Sequence, residues 1–237
     1  MGAPSESRKI LSAEAVSLRA SSGRALRNVT VSIQEKSLNL VFGPPGCGKN
    51  RLLRMLGLME APDEGDILYR ETPTRALSEE DRAAIRNRHF GFLFAEPYLL
   101  PSFSVVENVA MPFFRISAVD SGEALERTRT LLDFVGLGDR EQSAVAELSR
   151  AEQQRVSLAR ALINQPEIVM VEEIDRGWEE GEPWEFCGTL RRAADEFAAT
   201  VIVTASSNAL MRAMDHSFEV ALGSVRPLLR EEGGVRA

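Results

Sequence analysis

The sequence predicts an α/β fold with a mainly parallel sheet. Three features point there. Short apolar runs at Leu38–Phe42, 90–94, Ile168–Val171 and 200–204 alternate with stretches of helical periodicity. Strands buried on both faces read this way when helices cross over between them. The run Leu38–Phe42 passes through a Gly/Pro-rich turn into a helical pattern. The run Ile168–Val171 ends in two acids, Glu172 and Glu173, and parallel sheets gather ligands at the carboxyl ends of their strands.

Composition narrows the class. A chain of 237 residues with 44% apolar content can build a full core in one large domain. The net charge of -7, from 28 basic and 35 acidic residues, argues against a nucleic-acid partner. Two cysteines, Cys47 and Cys187, cannot make a disulfide framework and suit the cytoplasm. No apolar run approaches the ~18–20 residues of a membrane span, and the N-terminus has no secretory core. His89 and His216 stand far apart without clustered Cys, so no zinc site is expected.

In chain order, residues 10–18 and 29–33 read as strands, the second with clean alternation, joined by a turn at residues 21–23. Leu38–Phe42 reads as a buried strand. Leu52, Leu53, Met55 and Leu56 then fall at helical spacing. Residues 66–69 form a strand, and Ser78 with three following acids starts a helix. From Glu96 to Leu148 the texture is helical. One helix is capped by Ser121, closed by Gly136, and faces inward with Ala124, Leu125, Thr128, Leu131, Leu132 and Val135. Ser149 and Glu152 fit a capping box at the head of the next helix. Trp184, Cys187, Leu190, Ala194 and Phe197 mark one face of a later helix. Residues 217–222 and 225–229 close the fold as a hairpin around Gly223-Ser224. The expected organisation is one domain: a core from 10–95 and 164–230, a helical insert at 96–163, and a loose tail at 231–237.

The chemistry concentrates at Gly43-Pro44-Pro45-Gly46-Cys47-Gly48-Lys49-Asn50-Arg51. The spacing fits G-x-x-x-x-G-K between a strand and a helix, the pattern of a phosphate-binding P-loop. Glycines let the backbone curl so that N–H groups converge, and the helix N-terminus favours an anion there. Lys49 adds a point charge for the outer phosphates. The pattern ends in Ser or Thr, whose hydroxyl binds Mg²⁺, whereas this chain has Asn50. Cys47 reads as a small filler within the loop.

These residues together resemble the ATP-binding subunit of an ABC transporter, of the lipoprotein-release and macrolide-export group. Arg86 to Phe92 and Leu99-Leu100-Pro101 resemble the strand and loop around that family's glutamine switch, and Glu107 to Pro112 resembles a run typical of the group. Leu148-Ser149-Arg150-Ala151-Glu152 with Gln153-Gln154-Arg155 and Ala159-Arg160-Ala161-Leu162 resembles its signature and signature helix. The resemblance covers residues 10–229. It implies a P-loop NTPase fold with a mainly parallel core sheet, an antiparallel β subdomain and an inserted helical subdomain. It also implies ATP and Mg²⁺ as ligands, a membrane permease and a second nucleotide-binding subunit as partners, and a place at the inner face of the cell membrane through that permease. Glu173 takes the position of the general base; Asn50 and Glu172 take those of the metal ligands.

The departures fall on the chemistry. Ala95 stands where the family has its glutamine, with Glu96 beside it, and Ala205 stands for the switch histidine. Arg150 and Ala151 replace the two signature glycines, whose N–H groups approach the phosphate held by the other subunit. Glu172 replaces an aspartate, and Ile174-Asp175-Arg176-Gly177-Trp178-Glu179 replaces Pro-Thr-x-x-Leu-Asp. The aromatic expected near Arg19-Ala20 is missing. Each preorganised group lost typically costs ~10²–10³ in rate, so weak or no hydrolysis is expected. In the family each ATP lies between one subunit's P-loop and the other's signature. Two copies of this chain would make two sites altered on both sides; an intact partner would make two unequal sites. Two alternatives stand beside this reading: a fully active ATPase with a variant metal site, and a scaffold that binds no nucleotide.

Overall fold

The computed structural model describes residues 8–19, 26–116, 121–179 and 181–228, and among these ten strands form two sheets. The first is antiparallel, in the order β2-β1-β4-β5. It comprises β1 (Lys9–Leu18), β2 (Leu26–Gln34), β4 (Glu64–Tyr69) and the short β5 (Thr72–Pro73). Along β2 the buried residues Leu26, Val29, Val31 and Ile33 face the core, and polar neighbours between them face out. That alternation is what a sheet covered on one face requires.

The second sheet runs β10-β9-β3-β8-β7-β6. It is built from β3 (Leu38–Phe42), β6 (Phe90–Leu93), β7 (Ile168–Val171), β8 (Thr200–Ala205), β9 (His216–Ala221) and β10 (Ser224–Leu228). All its neighbours pair in parallel except the β9–β10 hairpin. Every residue of β3, β7 and β8 is buried. Period-two geometry divides them between two cores. Leu38, Leu40, Phe42, Val169, Val171, Val201 and Val203 face the core shared with α3 (Val105–Ile116), α4 (Ser121–Phe134), α5 (Arg150–Leu162) and α6 (Glu182–Glu196). Val41, Ile168, Met170 and Ile202 face the core shared with α1 (Lys49–Leu56) and the antiparallel sheet. The near-continuous apolar runs of the sequence are thus strands sandwiched between two layers.

Helix boundaries follow their caps. Ser78 accepts from Asp81 N–H at the head of α2 (Glu79–His89). Ser149 and Glu152 form a complete capping box at the head of α5. Gly136, with φ 73°, follows α4.

Several expectations need correction. Trp184 is 46% exposed; the buried face of α6 is Phe186, Cys187, Leu190, Ala193 and Ala194, while Trp178 packs on Phe186 from outside the helix. Leu125 is exposed while Ala124, Thr128, Leu131 and Leu132 are buried, because the inward stripe of α4 is narrower than its apolar content. Ser121 is the first residue of α4. The hairpin turn centres on Leu222-Gly223, both at positive φ, one residue earlier than expected, since Ser224 already pairs with Ala221. This is the turn geometry that suits strand twist. The expected turn at residues 21–23, Ala20, Leu229 and the tail at 231–237 lie outside the described residues.

Candidate functional site

Parallel order places the ends of β3, β8, β7 and β6 along one edge of the sheet. That brings together the loop after Phe42, Ala205, the Glu172-Glu173 pair and Ala95. Gly43 opens the loop; its N–H donates to the Ala205 carbonyl at 3.3 Å. A Cβ at Gly43 would collide with the Val220 carbonyl oxygen and Cys47 Sγ. Gly46 and Gly48 have φ 77° and 101°, the left-handed region open to glycine. Gly48 is the N-cap of α1, and no side chain caps it. The first helical bond beyond the cap runs from Leu52 N–H to Gly48 O. The N–H groups of Lys49, Asn50 and Arg51 therefore find no partner from the helix itself. Together with the helix dipole they make a cradle for an anion.

Not every expected loop residue can donate. Pro44 and Pro45 have no N–H and can only shape the turn. Cys47 N–H is bonded to the Pro44 carbonyl at 3.2 Å, and its buried thiol packs beneath Gly43. This fits the role of a filler. Arg51 pairs with Glu60 and donates to the Arg19 carbonyl, so its guanidinium lies outside the cradle.

Lys49 has only 4% of its side chain exposed, and its Nζ lies 3.7 Å from Glu173 Oε1. Asn50 Nδ2 donates to the same oxygen at 3.0 Å. Glu173 Oε2 accepts from Arg176 NH1 at 3.0 Å. The backbone of Glu173 has φ 48°, and its N–H donates to Thr204 Oγ1 at 2.8 Å. Partial burial pushes the Glu173 carboxyl up, but hydrogen bonds from Arg176 and Asn50 and the charges of Lys49 and Arg176 outweigh it and hold its pKa below the usual range. Glu172 accepts from Arg54 NH2 at 3.1 Å. Asn50 Oδ1 is buried with no hydrogen-bond partner. That orphaned amide oxygen fits a hard cation such as Mg²⁺, which accepts one or two protein oxygens and completes its shell with water and phosphate.

The residues expected to form the signature sit at the head of α5. Leu148 is buried, and Ser149 and Glu152 cap one another. Arg150 does not reach outward: its NH2 donates to the Ala95 carbonyl at 2.9 Å and pairs with Glu96 at 3.5 Å, and its Nε lies over Gly177. Ala151 is half-buried beside it. The same Ala95 carbonyl accepts from Gln154 Nε2 at 3.0 Å. Ala95 and Ala205 are both buried and carry no group that could reach a ligand.

Sequence reasoning missed two participants, Arg54 and Thr204, and two contacts, those of Gln154 and Arg176. Arg54 follows Asn50 by four residues and so shares its helix face; Arg176 follows Glu173 by three. Those spacings were the available signals. Thr204 acts on a backbone group 31 residues from it in sequence, which no local pattern reports.

The comparisons agree with this geometry. The model of the ABC transporter family matches residues 26–175. The lipoprotein-releasing system ATP-binding protein LolD of Bacteroides fragilis (strain YCH46) is 33% identical over 202 residues, 85% of this chain and 93% of that protein. Its counterpart from Shewanella frigidimarina (strain NCIMB 400) is 34% identical over 200 residues, 84% of this chain and 83% of that protein. Among solved structures, the dimeric post-hydrolysis state of the ATP-binding cassette MJ0796, bound to ADP and Pi, superposes with a TM-score of 0.83 at 25% identity, covering 92% of this chain and 98% of that one. With a P-loop at the carboxyl edge of a parallel sheet and relatives matched over nearly their full length, the chain belongs to the ABC transporter family as an ATP-binding domain.

Proposed function

We propose that this chain couples nucleotide binding, with weak or no hydrolysis, to a separate membrane permease. One observation carries the reading: the phosphate cradle is lysine-bearing and capped by no side chain, while Ala95 and Ala205 offer no side chain to the water or the terminal phosphate. In the proposed role Gly46, Gly48, Lys49, Asn50 and Arg51 hold the polyphosphate of ATP through the loop backbone and the Lys49 charge, while Cys47 fills the space beneath the loop. Asn50 Oδ1 holds Mg²⁺, whose chemistry when bound is to neutralise phosphate charge. Glu173 is the general base, and Glu172 reaches the metal only on leaving Arg54.

The cassette acts as one domain, with its core in 10–95 and 164–230 and the helical insert in 96–163. The segment Leu148, Ser149, Arg150, Ala151 and Glu152 at the head of α5 meets a second nucleotide-binding subunit, with Leu148 buried beneath it and Arg150 turned inward. The permease docks on the helical insert, where Phe103, Met111, Phe114 and Leu125 line an exposed apolar groove of about 380 Å³. No described helix is long and apolar enough to cross a membrane, so the proposed place is peripheral, at the inner face of the membrane, through the permease.

Thermal unfolding with Mg²⁺-ATP tests the reading. Ligand at about 100 times its dissociation constant adds about 2.7 kcal/mol. A clear upward shift, lost in Lys49→Ala, is expected; no shift at millimolar ATP would sink it. The unpartnered Asn50 Oδ1 favours a second reading, a working ATPase with a variant metal site. Fast Mg²⁺-dependent turnover, abolished by Glu173→Gln, would select it.

A further inference from the structure

Both oxygens of Glu173 are engaged, and by residues of two different kinds. Oε1 meets Asn50 and Lys49, which belong to the phosphate loop and its helix. Oε2 meets Arg176, which belongs to the same turn as Glu173. Arg176 N–H donates to the Glu173 carbonyl at 3.0 Å, and this closes the turn. The turn is fastened to β8 and the residue beyond it. Glu173 N–H bonds Thr204 Oγ1, Ile174 N–H bonds the Thr204 carbonyl at 3.0 Å, and Asp175 Oδ2 accepts from Ser206 N–H at 2.8 Å. These bonds hold Glu173 at φ 48°, in the left-handed region.

The two contacts respond differently to a ligand. An arriving phosphate competes with the carboxylate for Lys49. Arg176 holds the other oxygen and belongs to the same fastened turn, so loss of the Lys49 contact does not by itself remove the arginine contact.

We propose that Arg176 is a positioning residue that restrains hydrolysis, holding Glu173 Oε2 in an ion pair and withholding it from the attacking water. The inference rests on the nucleotide-binding reading above. In the restrained step a water oxygen bonds the terminal phosphorus as the bond to the ADP oxygen breaks, and the water proton passes to the carboxylate. A base whose lone pairs are occupied by a guanidinium is poorly placed to take that proton.

The test uses the full chain as wild type, Arg176→Ala and Arg176→Lys, with ADP binding measured by calorimetry and Mg²⁺-ATP turnover measured in parallel. Arg176 is 67% exposed, so truncation leaves the fold intact; Arg176→Gln, which is shorter and uncharged but keeps a polar side chain, carries the same expectation as Arg176→Ala. A positioned general base typically contributes 10²–10⁴-fold, and only part returns while Ala95 and Ala205 remain, so kcat should rise about tenfold in Arg176→Ala. KM should change by less than about threefold, because binding does not use the arginine. Arg176→Lys, which keeps a cation, should stay near wild type. Adding Glu173→Gln to Arg176→Ala should erase the gain, which a merely structural effect of Arg176 would not require. Unchanged or lower kcat in Arg176→Ala with ADP binding intact overturns the restraint alone. Absence of ADP binding to the wild type overturns the nucleotide-binding reading, and the restraint with it.

Discussion

Thr204 shows how much of the site rests on groups that never touch a ligand. Its side chain is fully buried, and its hydroxyl accepts the N–H of Glu173 at 2.8 Å. Without that bond the left-handed backbone of Glu173 keeps its strain and loses a partner. Thr204→Val preserves the shape and removes the acceptor. Leaving a partly buried N–H unpaired costs about 1–3 kcal/mol. Urea unfolding should register a loss in that range, and a value near zero would show that water serves the N–H equally well. Arg150 makes the complementary point. In the fold it turns inward, onto the Ala95 carbonyl and Glu96. The choice between outward and inward rotamers depended on a carbonyl brought in from 55 residues away, which local sequence does not report.

At the level of elements, legibility follows the range of the forces involved. The start of α5 was readable because a capping box is local: Ser149 accepts from Glu152 N–H at 3.2 Å, and Glu152 returns the bond at 2.8 Å. The buried strands β3, β7 and β8 were readable because burial on both faces leaves mostly apolar residues, with Asn39, Thr200 and Thr204 the buried polar ones. The exposed Trp184 and Leu125 were misplaced because helical spacing gives a stripe, whereas the neighbours decide its width. The loop residues were legible as a set, but which of them donate was settled by proline chemistry and by the Arg51–Glu60 pair. The capping box also supports a prediction. Ser149→Ala removes one acceptor and frees Glu152, which should cost about 1 kcal/mol, within a usual span of 0.5–2. Because α5 carries Gln154, Ser157 and Arg160, which donate to the carbonyls of Phe94, Ala95, Pro97 and Tyr98, hydrogen exchange should quicken in residues 94–98 as well as at the helix head. Quickening confined to the helix head would mean that the contacts between α5 and the loop after β6 do not depend on the cap.

Across the whole molecule, buried cores supply most of the stability, but acids at the seams fix how the layers meet. Glu167 is one such seam. It accepts from Tyr69 at 2.7 Å and pairs with Arg70 and His89, joining the antiparallel sheet and α2 to the start of β7. Asp215 is another. It accepts from Leu38 N–H at 2.8 Å at the start of β3 and forms two hydrogen bonds with Arg191 of α6, at 2.8 and 3.0 Å. Burial pushes the Asp215 carboxyl up, yet Arg191 and the Leu38 N–H more than offset this, and its pKa in the fold lies below the ordinary value. A carboxyl with a depressed folded pKa binds protons more readily when unfolded. Its contribution is therefore present above the unfolded value of about 3.9 and drains away as pH falls through the folded one. Asp215→Asn keeps the size and loses the charge, so the wild type should be the more stable at neutral pH. That advantage should shrink steadily in acid, below about pH 4. Urea midpoints of both proteins across that range measure it. A gap that stays constant into acid would assign the contribution of Asp215 to shape and neutral hydrogen bonding, and would remove the ionic seam between β3 and α6 from the account of how the parallel sheet is held in place.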